Sequence, residues 1–139
     1  MTAWYRQIIV TQEPFDIGLD ASGRAQCAFN FSVVKSSSDV FVEEIIALLE
    51  TASVGSFDTT IFASTKANLP TDPDVVFITM IERGGAAPER THNEIGPPAY
   101  QRPSAQLVAT GKTYPLARTM ARAAYDALVG VRNITVTAT

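Results

Sequence analysis

Residues 25–35, AQCAFNFSVVK, alternate with a period of two for longer than any other stretch of the chain. Ala25, Cys27, Phe29, Phe31 and Val33 fall on one face, and Gln26, Asn30 and Ser32 on the other. A strand with this pattern must bury one face and show the other, so the chain needs a layer to cover it. Cys27 belongs to the apolar row and reads as a small core residue, because a free cysteine packs as a hydrophobe.

The covering layer comes from two helical segments. In residues 40–52 the positions Phe41, Ile45, Leu48, Leu49 and Ala52 form one stripe. Ser38 or Asp39 can cap this helix, and Glu43 and Glu44 sit near its positive end. In residues 114–128 the stripe is Ala117, Ala121, Ala124 and Leu128, with Met120 beside it and Arg118, Arg122 and Asp126 opposite. Pro115 falls in its first turn, and Gly130 follows its end as a C′ residue.

Further strands are predicted at 4–13, 59–64, 75–82, 104–110 and in the final NITVTAT, with Asp20–Gly23 as a hairpin turn. Residues 36–39 form a polar break. Residues 68–74 and 83–103 read as loops, the second with four prolines and three glycines and no period. The expected fold is a single α+β domain over 1–139, a mixed β-sheet with two helices packed on one face.

Composition narrows the chemistry. At 139 residues and 46% apolar the chain suits one globular domain. One cysteine excludes an intramolecular disulfide, and one histidine, His92, removes most metal sites. A net charge of −3 gives no electrostatic case for gripping nucleic acid. No apolar run reaches membrane-spanning length, and the N-terminus lacks a cleavable leader pattern, so a cytoplasmic setting is the default.

The stretch Ala109-Thr110-Gly111-Lys112-Thr113 resembles the end of a phosphate-binding loop. Counting back, however, puts Gln106 where the first glycine belongs, inside a strand. The remaining loop is too short to wrap a phosphate, and Pro115 removes one N–H donor. The stretch reads as a strand-to-helix connection, with Lys112 exposed. Asp16–Gly23 lacks the alternating oxygen ligands of a calcium loop. No nucleophile elbow accompanies His92, a solvated loop residue. Gly84-Gly85 either releases the chain from the sheet or forms an anion nest. These readings imply no catalytic residues, no cofactor and no metal.

The segments IERGGAAPERT, PPAYQRPSAQLVATGKTYPLARTMARAAYDAL and QEPFDIGLDASGRAQCAFNFSV together resemble the tail terminator family of siphophages, also described as minor capsid or head–tail joining proteins. The resemblance covers nearly the whole chain, but in rotated order. Residues 1–35 are similar to the family's terminal hairpin and 40–139 to its beginning, with 36–39 where a permutation linker would sit. In a permuted chain Met1 and Thr139 lie near one another, and NITVTAT runs into TAWYRQIIV as one strand.

The resemblance implies a non-enzymatic virion protein, present in the host cytoplasm during assembly. It would form a homo-oligomeric ring, usually hexameric, that caps the tail-tube protein and meets the head connector protein, with DNA passing through the lumen and no membrane partner. The working surface is expected in the loop 83–103, at Arg83, Gly84, Gly85, Glu89, Arg90, Glu94, Tyr100 and Arg102. Two other classes remain open: a small nucleotide-binding enzyme using Gly111-Lys112-Thr113, and a monomeric ligand- or peptide-binding module.

Overall fold

A computed structural model describes residues 2–36, 41–57, 59–63, 70, 74–89 and 100–137. The elements run β1 (Thr2–Val10), β2 (Phe15–Leu19), β3 (Ala25–Ser36), α1 (Phe41–Thr51), β4 (Ile61–Ala63), β5 (Phe77–Glu89), β6 (Tyr100–Gly111), α2 (Tyr114–Leu128) and β7 (Arg132–Thr137). Seven strands form one curled mixed sheet in the order β4-β5-β6-β3-β1-β7, with β2 also on β3. Among these strands only β4 and β5 pair in parallel; the other described strand pairs are antiparallel.

The alternating stretch is the axis of this sheet. One edge of β3 pairs with β6 from Ala25↔Gly111 to Ser36↔Tyr100. Its other edge is shared: β2 takes Ala25–Ala28 and β1 takes Phe31–Lys35. Cys27, Phe29, Phe31 and Val33 join Met80, Leu107 and the buried stripes of both helices in one core cluster. Small residues at Ala117, Ala121 and Ala124 let α2 lie close against the sheet, and all three are fully buried. Tyr125 meets the Phe29 ring edge-on at 5.8 Å. Burial raises the Cys27 thiol pKa, and the neighbouring Asp16 carboxylate adds to it.

Three expectations are corrected. Phe15–Leu19, where no strand was expected, is one, and the turn Asp20–Gly23 joins it to β3. Its bulge at Ile17 needs Gly18 at φ +112°, a backbone state closed to most side chains. Residues 83–89 and 100–103 are not loop but the continuation of a long β5–β6 hairpin. The register slips between Arg83 and Ala86 and again between Ala86 and Glu89, so each bulge takes in one extra residue. Gly84, Gly85 and Pro88 fall inside those slips, where a ladder tolerates them. Finally, β7 and β1 do not form one long strand. They lie side by side and antiparallel, with Thr2↔Thr137 as register partners.

In α1 the inward face holds Phe41, Val42, Ile45, Ile46 and Leu49, and also Glu44. Ala52 lies beyond the helix and is exposed. The proposed caps Ser38 and Asp39, and the linker positions 37–39, lie outside the described residues. Glu44 is fully buried with Lys35 and Tyr5. Lys35 Nζ lies 3.0 Å from Glu44 Oε1, and the Tyr5 hydroxyl donates to the same oxygen at 3.0 Å. Burial, followed by the Glu44 charge and the hydrogen bond to it, raises the Tyr5 pKa far above that of a free phenol.

Removing either charged member of this trio leaves an uncompensated charge in the core. Glu44→Leu or Lys35→Met alone is expected to cost about 3–5 kcal/mol, and the double variant much less than their sum. Urea unfolding of the cycle measures this. A second expectation concerns pH. A phenol whose pKa is raised by folding contributes stability below about pH 10, its unfolded pKa, and loses it as pH climbs further. The alkaline fall in stability should therefore be shallower in Tyr5→Phe than in the wild type.

Candidate functional site

Gly111 is the last residue of β6, and α2 begins at Tyr114, so the Gly-Lys-Thr stretch spans a two-residue connection. Gln106 to Gly111 are ladder residues, paired with β3 from Asn30 to Ala25. Their backbone is committed to the sheet and forms no phosphate cradle. Thr113 stands as N-cap without a side-chain cap bond. Lys112 is exposed, 62% by side chain, and pairs loosely with Asp74 at 3.5 Å. The glycine has a packing role: a Cβ at position 111 would sit 3.2 Å from the Ala117 nitrogen and 3.3 Å from Leu116 Cβ. The strand end and the first turn of α2 touch there.

The hairpin β5–β6 brings together most of the residues expected at a working surface. Arg83 faces Ser104, Ala86 faces Arg102, and Glu89 faces Tyr100 across the two strands. Arg83 donates to the Gln106 side chain at 2.6 Å, and Ser104 Oγ donates to the Arg83 carbonyl at 3.1 Å. Gly84 and Gly85 occupy the first bulge, between Arg83 and Ala86. Arg90 and Glu94, like His92, lie outside the described residues.

Sequence reasoning missed the surroundings of Arg102. It lines an open cavity of about 250 Å³ together with Arg6, Gln7, Ile9 and Val34. This cavity lies on the sheet face turned away from the helices. Arg6 is the extra residue of a bulge between Tyr5 and Gln7. Farther along the same face runs a polar row, Asn30↔Gln106 and Ser32↔Ser104. Nothing in the local sequence around Arg6 signals the cavity, because its walls come from three strands.

A second feature missed from sequence is the outer edge of β2. Phe15, Ile17 and Leu19 are 39%, 42% and 63% exposed. Beside them Asp16 turns to Arg118 of α2, accepting its hydrogen bond at 2.7 Å. Asp20 closes the adjoining turn, accepting from the Ser22 and Arg24 backbone N–H groups and from Arg24 Nε. Burial pushes its carboxyl up, but these bonds and the Arg24 charge outweigh that and hold the pKa below its ordinary value. Among the described residues no three His, Cys, Asp or Glu side chains converge as a metal site. No helix among them is long and apolar enough to cross a membrane.

These geometries separate two substitutions in the Gly-Lys-Thr stretch. Gly111→Ala should destabilise by about 1–3 kcal/mol through overpacking against backbone. Lys112→Ala should change stability by less than about 0.5 kcal/mol. Thermal and urea melts check both. A nucleotide whose binding depends on Lys112 would contradict the packing role.

Comparison of the chain with protein-family models, with curated proteins and with solved structures finds no match.

Proposed function

We propose that this chain is a non-catalytic structural subunit of a siphophage tail, a terminator that assembles as a ring on the tail tube and joins it to the head connector. The observation that carries this reading is the β2 edge. Natural edge strands are blunted with charge, proline, a bulge, a short span or a covering loop, because an open backbone edge templates pairing with another chain; β2 is short and bulged at Ile17, yet its border is apolar. Here β7 pairs with β1 only from Thr2 to Gln7, and no described strand lies on the outer side of β2. That edge is flanked by exposed Phe15, Ile17 and Leu19. The one acid within the strand, Asp16, is held by Arg118. Leu116, 44% exposed, stands at the same end of the sheet. An unpaired edge with an apolar border suits strand addition between subunits better than it suits a free monomer.

The sequence resemblance supplies the identity of the assembly: tail-tube and connector partners, DNA only in transit through the lumen, and a place in the virion tail. The adjacency of Thr2 and Thr137 is compatible with the rotated order, since a short turn could join β7 to β1 as a hairpin.

Leu19→Lys and Ile17→Lys place charge on the edge at exposed positions. Both variants should melt within about 0.5 kcal/mol of the wild type, as surface substitutions do. Neither should form rings on tail tubes, and particles carrying them should have overlong tails or tails without heads. Electron microscopy of the particles and solution mass of the subunit report the two effects. A wild-type chain that stays monomeric with and without tubes would instead favour a monomeric peptide-binding module, for which the same edge would serve.

A further inference from the structure

The cavity on the outer sheet face has the make-up of a recognition pocket. Val34 of β3, only 8% exposed, forms its floor. Arg6, Gln7 and Ile9 of β1 wall one side, and Arg102 of β6 the other. Among the described residues, both charged ones lining it are arginines, in a chain whose net charge is −3. The β1 bulge at Arg6 breaks the alternation of the strand, which brings Arg6 to the cavity beside Gln7. Arg102 already has a contact within the chain. A guanidinium carries five N–H donors in a planar fork.

The chemistry and size select the occupant. Two guanidinium groups and the amide of Gln7 offer donors to an oxyanion, and the guanidinium fork matches a carboxylate in two-point contact. Ile9 and Val34 offer an apolar wall to a short methylene stem. At about 250 Å³ the cavity lies below the roughly 300–1,000 Å³ of typical small-molecule pockets. It holds a side chain rather than a whole nucleotide. Its border also has the composition of an interface centre. Tyr5 points into the core, so Trp4 beside it points to this outer face, where it is 41% exposed, as is Ile9. Tryptophan and arginine dominate the energetics of protein interfaces.

We infer that this cavity receives one carboxylate side chain, from Glu or Asp, carried by a neighbouring copy of this chain. The choice of a second copy rests on the assembly reading above. It also follows the charge: outside this pocket the chain is acidic in excess. The contact is heterologous, pocket to acid, the kind that generates a ring where the rotation between copies closes.

Trp4 is the only tryptophan and lies two residues from Arg6 on the same strand, so its fluorescence serves as the readout, with isothermal calorimetry as a second measure of binding. The isolated protein is titrated with N-acetylglutamate methylamide, with the matching glutamine compound, and with inorganic phosphate. A saturable change with the glutamate probe is expected. Binding should be at least about tenfold weaker for the glutamine compound, and for the glutamate probe in Arg6→Glu or Arg102→Lys. Arg6 is exposed, so its variant should fold, which circular dichroism checks. In sedimentation velocity the wild type should self-associate, with the association weakened by salt and lost in Arg6→Glu.

No saturable response, an equal response to the glutamine compound, or an unchanged response in Arg6→Glu would overturn the pocket. Preference for phosphate would overturn the carboxylate assignment. A wild type that stays monomeric, or association indifferent to Arg6, would overturn the second copy as the source. If probe binding and self-association both follow Arg6 but the protein never joins a tail tube, the inference stands and the tail assignment falls.

Discussion

Strand β3 has two backbone edges over twelve residues, and burial obliges both to be paired. The arrangement of the sheet follows from how that is achieved. Strand β6 satisfies one edge from end to end. The other edge is covered by one passage of chain interrupted between Val10 and Phe15, so β1 and β2 take a half each. β7 then attaches to the β1 half alone, and α2 lies against the β2 half through Arg118 and Asp16. The open edge proposed for assembly is thus a by-product of a central strand longer than either of its partners on that side.

The buried trio Tyr5, Lys35 and Glu44 ties this sheet to the first helix. It joins β1, β3 and α1 at a single oxygen, Glu44 Oε1. Apolar packing alone would let α1 slide or rotate on the sheet at small cost. A buried charge pair tolerates no such shift, because a displaced partner would be left desolvated and uncompensated. The trio therefore contributes more to fixing where α1 sits than to net stability.

How much of this was legible depends on how local each signal is. The span of α2 and its buried alanines could be read because the stripe repeats within one segment. The core face of β3 could be read for the same reason, and the same alternation, carried one step past Val33, lands on Lys35. That lysine on the apolar face was the available sign of a buried ion pair; its partner, nine residues on, also falls on an inward helix position. β2 was illegible because Pro14, Asp16 and Gly18 speak against a strand. Only the unpaired half of β3 makes it one. The hairpin extension was hidden for a related reason: bulges absorb the glycines and Pro88, erasing the period by which strands are recognised. The cavity at Arg102 has no sequence signature, since its walls are contributed by residues nearly a hundred positions apart.

The pairing of Thr2 with Thr137 also determines how the molecule responds to tension. A pull applied at these two residues acts across the first rung of an antiparallel pair. The β1–β7 ladder then opens one hydrogen bond at a time, like a zipper, and never has to shear several rungs together. Its mechanical resistance along that axis is low, and the first buried side chain to be withdrawn from the core is Val136. The same subunit held by its β2 edge and pulled along the strand direction would load all the bonds of that contact at once.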